Sequence, residues 1–226
     1  EGNLELETWL TSRSGKAEDA GATAWDWREE FEYAVTNRLT MATYLNFSQS
    51  GGEAMVFEAP SLEFVYALGE PGRHSLNPAL YLETTESGEE LELEPKLLLG
   101  HRHGRLVSAL NLIGEFEFRH NDDELLEDGS VMRRAWAWEI AGGTAYEIGP
   151  RVSLGLEGRY AAEYPNFGPK TASALFLGPS INLQAGKAQL ALGLQRQMHG
   201  SPKTSGSLNR EDFERTSVRA IIGVQL

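Results

Sequence analysis

Cysteine is missing from all 226 residues, so the chain has no disulfide framework and no thiolate to act as nucleophile or metal ligand. Long apolar runs are missing too. Nothing approaches the roughly 18 consecutive apolar residues that a membrane helix needs, and the mean hydropathy is −0.36. Positive charge is scarce: 20 Lys and Arg face 33 Asp and Glu, a formal charge of −13. That excess repels phosphate backbones and argues against a nucleic-acid partner. Helical periodicity is weak almost throughout. Phosphate-binding glycine loops, dinucleotide fingerprints and zinc-ligand spacings do not occur. Average hydropathy is blind to one membrane class, the β-barrel, which sets polar and apolar residues on alternate positions.

Alternation is what the chain has in abundance. In "EELELEPKLLLG" the residues Glu90, Glu92, Glu94 and Lys96 alternate with Leu91, Leu93, Pro95 and Leu97. A strict period of two makes a strand with one charged and one apolar face. Twelve such segments are predicted, at 3–12, 24–35, 39–48, 57–68, 78–85, 89–99, 106–119, 135–147, 152–160, 172–183, 188–197 and 213–226. Most run about 9–13 residues, close to the length that crosses a bilayer at a tilt. The connections after even segments are mostly short, such as "TNR", "HRHGR", "IGPR" and "QAGK". Those after odd segments are mostly long and polar, such as "RSGKAEDAGAT" and "HNDDELLEDGSVMRR". Short turns at one end and long loops at the other, with an even strand number, predict an all-β fold. It is a closed antiparallel up-and-down transmembrane barrel of about 12 strands, one domain over 1–226. Closure follows because every backbone group inside a membrane must be paired. A soluble acidic β-protein is the competing fold.

A barrel this wide has an interior too large to fill comfortably with apolar side chains, so the apolar phase is assigned to lipid. Aromatic residues near strand ends, among them Trp25, Trp27, Tyr33, Tyr66, Trp136 and Tyr146, suit interfacial girdles. The opposite phase carries Glu5, Glu7, Asp26, Glu30, Glu32, Glu63, Glu83, Glu90, Glu92, Glu94, Glu115, Glu117, Glu139, Glu147 and Glu157. Against them stand Arg28, Lys96, Arg119, Arg159, Arg215 and Arg219. Acids outnumber bases more than twofold, so pairing leaves a negative interior that attracts cations. The bland counterpart is a set of lumenal salt bridges that only stiffen the wall. Glu29 falls on the apolar phase, which suggests a bulge or a misread phase there. Pro95 and Pro179 lie inside strands without a donor, and a bulge is predicted at each.

Catalytic constellations are sparse. The five histidines, His74, His101, His103, His120 and His199, are placed in turns or loops. His120 beside Asp122 and Asp123 could form a rim site of the hydrolase kind, but no strand supplies a nucleophile with its base. The paired histidines of "HRHGR", at i and i+2, could hold a metal, with a solvated turn as the preferred reading; the acids of "NDDELLED" lack the glycine and regular alternate acids of a calcium loop and are read as a solvated connection. No cofactor, no metal and no enzymatic activity are expected.

The hairpin "EFEYAVTNRLTMATYLNF" and the closing "TSVRAIIGVQL" resemble small bacterial outer-membrane β-barrels. The closing segment is similar to the terminal strand read by barrel-assembly machinery, although it ends in Leu226 and not in an aromatic residue. The first hairpin also resembles porin-like proteins of a phenol-degradation pathway, a likeness that transfers no site residues. The resemblance implies a bacterial outer-membrane location for a mature chain lacking its signal peptide, a lipid bilayer as partner, and contact with assembly machinery during biogenesis. It also implies passage of small solutes or cations. A plugged barrel whose long loops bind a partner is the alternative from a different functional class.

Overall fold

In the computed structural model, residues 2–17, 21–70, 76–121, 129 and 131–226 are described. His74, Asp122 and Asp123 lie outside them. The elements are twelve strands: β1 (Leu4–Ser14), β2 (Thr23–Ala34), β3 (Leu39–Gln49), β4 (Val56–Ala67), β5 (Asn77–Glu86), β6 (Glu90–His103), β7 (Leu106–Arg119), β8 (Arg134–Gly149), β9 (Val152–Pro165), β10 (Ala172–Ala185), β11 (Ala188–Ser201) and β12 (Thr216–Gln225). Each pairs antiparallel with its neighbours in sequence, and β12 pairs with β1, so the sheet closes. Closure removes the exposed edge that an open sheet of alternating strands would present.

Register follows the period of two. Glu5 stands opposite Glu32, Glu7 opposite Glu30, and Glu30 opposite Tyr44. The other phase pairs Leu6 with Phe31 and Phe31 with Thr43. This second phase forms the outer wall, and it is exposed as well as apolar: Leu156 is 66% accessible, Ile222 50% and Leu80 50%. A contiguous apolar exterior of this kind is not left to water by soluble monomers. Tyr33, Tyr66 and Tyr146 sit outside near the short-turn end. At the other end Trp27, Phe47 and Phe57 meet in a row through tilted and edge-on contacts, and Trp136 stacks between Phe116 and Tyr164. The two aromatic sets bracket the aliphatic belt.

Several boundaries differ from the sequence expectation. β9 continues to Pro165 and β11 to Ser201. The added residues of β9 include Ala161 and Ala162, both buried, and two alanines in succession hide the alternation. β6 runs to His103, so His101 and His103 are strand residues and not turn residues, and His199 belongs to β11. β12 begins at Thr216, which leaves Phe213 outside the strand.

The prolines do not bulge. Around Pro95 the β6–β7 register passes from Leu93↔Phe116 to Lys96↔Ile113 with no residue added on either strand. Around Pro179 it passes from Leu177↔Arg196 to Ser180↔Gly193, again unshifted. Each proline costs ladder bonds and leaves a gap, but the strands keep step. True register shifts fall at Asn46/Phe47, Leu175/Phe176 and Glu147/Gly149. Glu29 is not on a bulge, and it keeps the apolar phase, opposite Thr8 and Leu45. It lies on the outer wall, where Thr8 Oγ1 donates to it at 2.8 Å and Trp27 Nε1 at 2.6 Å.

Candidate functional site

Side chains that bond across several strands identify the inner face. Arg28 on β2 reaches Glu83 on β5, and Tyr81 donates to the same carboxylate. Arg28 also lies over the Tyr44 ring at 4.1 Å, and Tyr44 donates to Glu63. Lys96 Nζ sits 2.7 Å from Glu94 and 4.0 Å from the centroid of the Tyr81 ring. Glu30, Glu63, Glu83 and Tyr44 are all buried. The β2–β6 side of the interior is thus a packed polar network. Its charges are paired or hydrogen-bonded, as burial demands.

Register brings acids together beside it. One carboxylate oxygen each from Glu30, Glu32 and Glu63 lies within 4.8 Å of the others. Trp9 Nε1 donates to Glu7 at 2.9 Å and to Glu30 at 3.2 Å. Gln189, two strands away on β11, donates to Glu5 and Glu7 at 2.8 Å each. Toward the long-loop end, Arg119 lies 3.3 Å from Glu90 and 3.8 Å from Glu117. Glu92 stands opposite Thr85 and Glu117, and Glu115 opposite Ala137. With Asp26, Arg28, Glu90 and Glu94, both border a cavity of about 740 Å³.

The β8–β12 side is emptier, because its inner residues are small. Gly143, Gly155, Gly193, Ala141 and Ala191 occupy positions that carry Glu or Tyr on the other side. Three cavities follow one another there. The first, of about 250 Å³ near the short turns, is bordered by Glu7, Arg151, Asn182 and Gln189. The second, of about 380 Å³, shares Asn182 with it and is bordered by Glu157 and Arg219. The third, of about 490 Å³ at the long-loop end, shares Arg13, Glu139 and Arg159 with the second. Arg219 Nε donates to Thr11 at 3.3 Å, and its guanidinium faces the Trp9 ring at 5.8 Å. Arg159 is the most connected cation of this side. It donates to Glu139 at 3.1 Å, to Gln195 at 3.1 Å and to Glu214, and it lies 4.0 Å over the Phe176 ring.

Several interior residues escaped the sequence reading. Trp9 shares the parity of Glu5 and Glu7, and Tyr81 that of Glu83. Phe176 shares the parity of Ala172 and Ala174. Parity marks them as inner, but aromatic residues equally suit the outer girdles, and that masks the signal. Glu214 and Phe213 had no such signal, since they lie in a connection. Arg215, read as an inner strand residue, also precedes β12, where its N–H donates to Ser14 O at 2.9 Å. At the long-loop rim His120 Nε2 lies 2.8 Å from Glu86.

A family model for a family of unknown function (DUF6662) matches residues 80–226. The chain belongs to that family. No curated protein matches it. Among solved structures the NanC porin superposes with a TM-score of 0.67 at 13% identity, over 98% of this chain and 100% of that one. The COG4313 outer membrane channel from Pseudomonas putida F1 gives 0.64 at 13% identity, over 100% and 96%. The KdgM porin gives 0.59 at 9% identity, over 98% and 99%. At these identities the likeness is one of fold: the chain has the closed twelve-stranded architecture of outer-membrane channels.

Proposed function

We propose that the protein is a bacterial outer-membrane channel for small solutes, with an acidic interior that favours cations. The observation that carries this reading is the run of three adjoining cavities along the β8–β12 side, with the acids of β1–β7 facing them. Carboxylates in a wet channel behind low-dielectric walls focus a negative potential and raise the local cation concentration. The exposed aliphatic belt between aromatic sets supports embedding in a bilayer, and the fold shared with outer-membrane channels supports the compartment. Lipid and, during biogenesis, barrel-assembly machinery are the partners of such a chain.

A planar bilayer held under a KCl gradient tests the reading. The wild-type reversal potential has the sign of a cation-preferring pore. Changing Glu90, Glu92 and Glu94 together to Gln keeps shape and removes three charges. The cation-to-anion permeability ratio then falls about two- to fivefold, while heat stability in detergent is unchanged or improved. An anion-preferring wild type sinks the acidic-lumen reading.

The Arg28–Glu83–Tyr81 and Tyr44–Glu63 network favours a second reading, a structural barrel whose interior is closed by its own polar packing. No current at any salt concentration would decide for it. A hydrolase at the rim would require His120, already bonded to Glu86, to be indispensable for a hydrolytic activity.

A further inference from the structure

Residues 202–215, between β11 and β12, fold down into the barrel mouth. Asn209 is fully buried and organises the descent. Its Nδ2 donates to Asp212 at 2.5 Å and to Ser201 O at 3.3 Å, and its Oδ1 accepts from the N–H groups of Glu211 and Asp212 at 3.2 Å. From the wall, Gln197 Nε2 donates to Asn209 O at 2.7 Å. The approach is so close that a Cβ on Gly200 would stand 2.2 Å from Asn209 N. Beyond it Phe213 meets Phe176 edge-on at 6.3 Å, in a small apolar core with Ala161, Ala172 and Ala174. The other flank is tied to the end of β1: Arg210 Nε donates to Gly15 O at 2.6 Å, and Ala17 N donates to Arg210 O at 2.6 Å.

The bottom of this segment is charged and is placed at one level of the passage. Glu214 is 8% exposed and bonds Arg159, whose other amino group reaches Glu139 on β8. Arg13, Glu139 and Arg159 are the wall shared by the second and third cavities, and Asp212, Phe213 and Glu214 border the third. A solute moving between those cavities has to pass this cluster.

We infer that the β11–β12 segment is the constriction of the passage and that Arg159, held between Glu139 and Glu214, is its charge-selective element. The inference rests on the channel reading and locates where selectivity is decided within it. Around this neck five carboxylates, Glu115, Glu139, Glu163, Asp212 and Glu214, face three cations, Arg13, Lys16 and Arg159, so the neck passes small cations and neutral polar solutes and holds back anions. The acids of β6 enrich cations ahead of it; the cluster at Arg159 admits them. A guanidinium fixed on an aromatic ring and three oxygen acceptors does not swing aside, so the size limit of the pore is set by the seated segment.

Two measurements on the full chain separate the inference from the reading beneath it. Amide hydrogen exchange in detergent reports seating directly. Protection of 208–215 comparable to that of the adjoining strands is expected, and exchange as fast as an open loop overturns the inference whether or not the protein conducts. Bilayer recording reports the neck. Phe213→Ala unseats the segment and raises single-channel conductance about twofold or more. Glu214→Gln shifts the permeability ratio toward anions, and Arg159→Gln shifts it toward cations. Heat-modifiable gel mobility identifies folded barrel for each variant, and the equally neutral Arg159→Met serves where Gln does not fold. Wild-type conductance and permeability ratio in every folded variant overturn the inference and leave the channel reading standing. Silence from all folded forms overturns both.

Discussion

Glu29 shows how much a single position can resist a pattern. It stands on the outer wall, about as far from one end of β2 as from the other, among Phe31, Trp27 and Leu45. Its parity was plain in the sequence, but the presence of an acid there suggested an irregular backbone. The backbone is regular, and the carboxylate is instead supplied with two donors by Thr8 and Trp27. Cross-strand neighbours on one face touch each other, and Thr8 is directly opposite. Replacing Glu29 by Leu removes a polar group from the lipid-facing wall and should raise unfolding stability in bilayers by about 1 kcal/mol. Replacing Thr8 by Val strips a donor while keeping the acid, and should lower it by about 1–2 kcal/mol. Urea titration in phospholipid vesicles reads both, and equal effects of the same sign would contradict the account. Gly178 is a harder constraint. A Cβ there would lie 1.6 Å from Leu194 O, so Gly178→Ala forces β10 and β11 apart. A loss of at least about 3 kcal/mol is expected for such a backbone collision, seen as disappearance of the heat-modifiable folded band.

At the scale of the strand, β6 keeps its two faces separate despite Pro95. Leu91, Leu93, Leu97 and Leu99 point outward, while Glu90, Glu92, Glu94 and Lys96 point inward. Because the register is unshifted across the proline, no face exchange occurs, and the missing ladder bonds cost less than a bulge that would turn leucines inward. Changing Leu91, Leu93 and Leu97 together to Gln should abolish insertion into vesicles, since each amide would enter hydrocarbon without a partner. Normal insertion of that triple variant, with failure of the Glu90/Glu92/Glu94 triple, would mean the wall is inside out. Strand existence was readable from alternation in every case. Strand ends were not, because β9 passes through Ala161–Ala162 on its way to Pro165 and β11 finishes in Gly200–Ser201, where alternation has no contrast. Phe213 extends the β12 pattern for the opposite reason: an aromatic residue close to an alternating run continues it, whereas its ring is seated on Phe176.

For the molecule as a whole, the segregation of short turns from long loops predicts its orientation. Single cysteines at Ala17, Gly51, Gly168 or Ser205 should react with an impermeant maleimide on intact cells. Those at Asn37, Gly104, Gly149 or Gly186 should react only after the outer membrane is opened. The reverse pattern would turn the barrel over. The separation of charged from apolar residues was legible because it follows parity along each strand. The partners of those charges were not. Arg28 finds Glu83 three strands away, and Arg159 finds Glu214 in a connection. Such meetings depend on strand tilt and on the path of the segment between β11 and β12, and neither leaves a local trace. The emptiness of the β8–β12 side was written in its glycines and alanines, yet a small residue reads as a gap in a pattern before it reads as space.

The pairing of β1 with β12 has a consequence for how the molecule comes into being. Eleven of the twelve ladders join strands adjacent along the chain and can form by local hairpin growth. The twelfth joins residues near opposite termini: Glu5 with Gln225, and Leu226 N with Leu4 O at 2.9 Å. Ring closure over so long a chain carries an entropy cost of about 5 kcal/mol, all of it levied on that one seam. The finished ring keeps no memory of where the seam was. Joining the two ends by a few residues and opening the chain at Gly186 should therefore yield the same barrel at equilibrium with its seam moved to β10–β11. The order in which its hairpins lock should shift accordingly, since topology sets the time of closure even where it leaves the product unchanged.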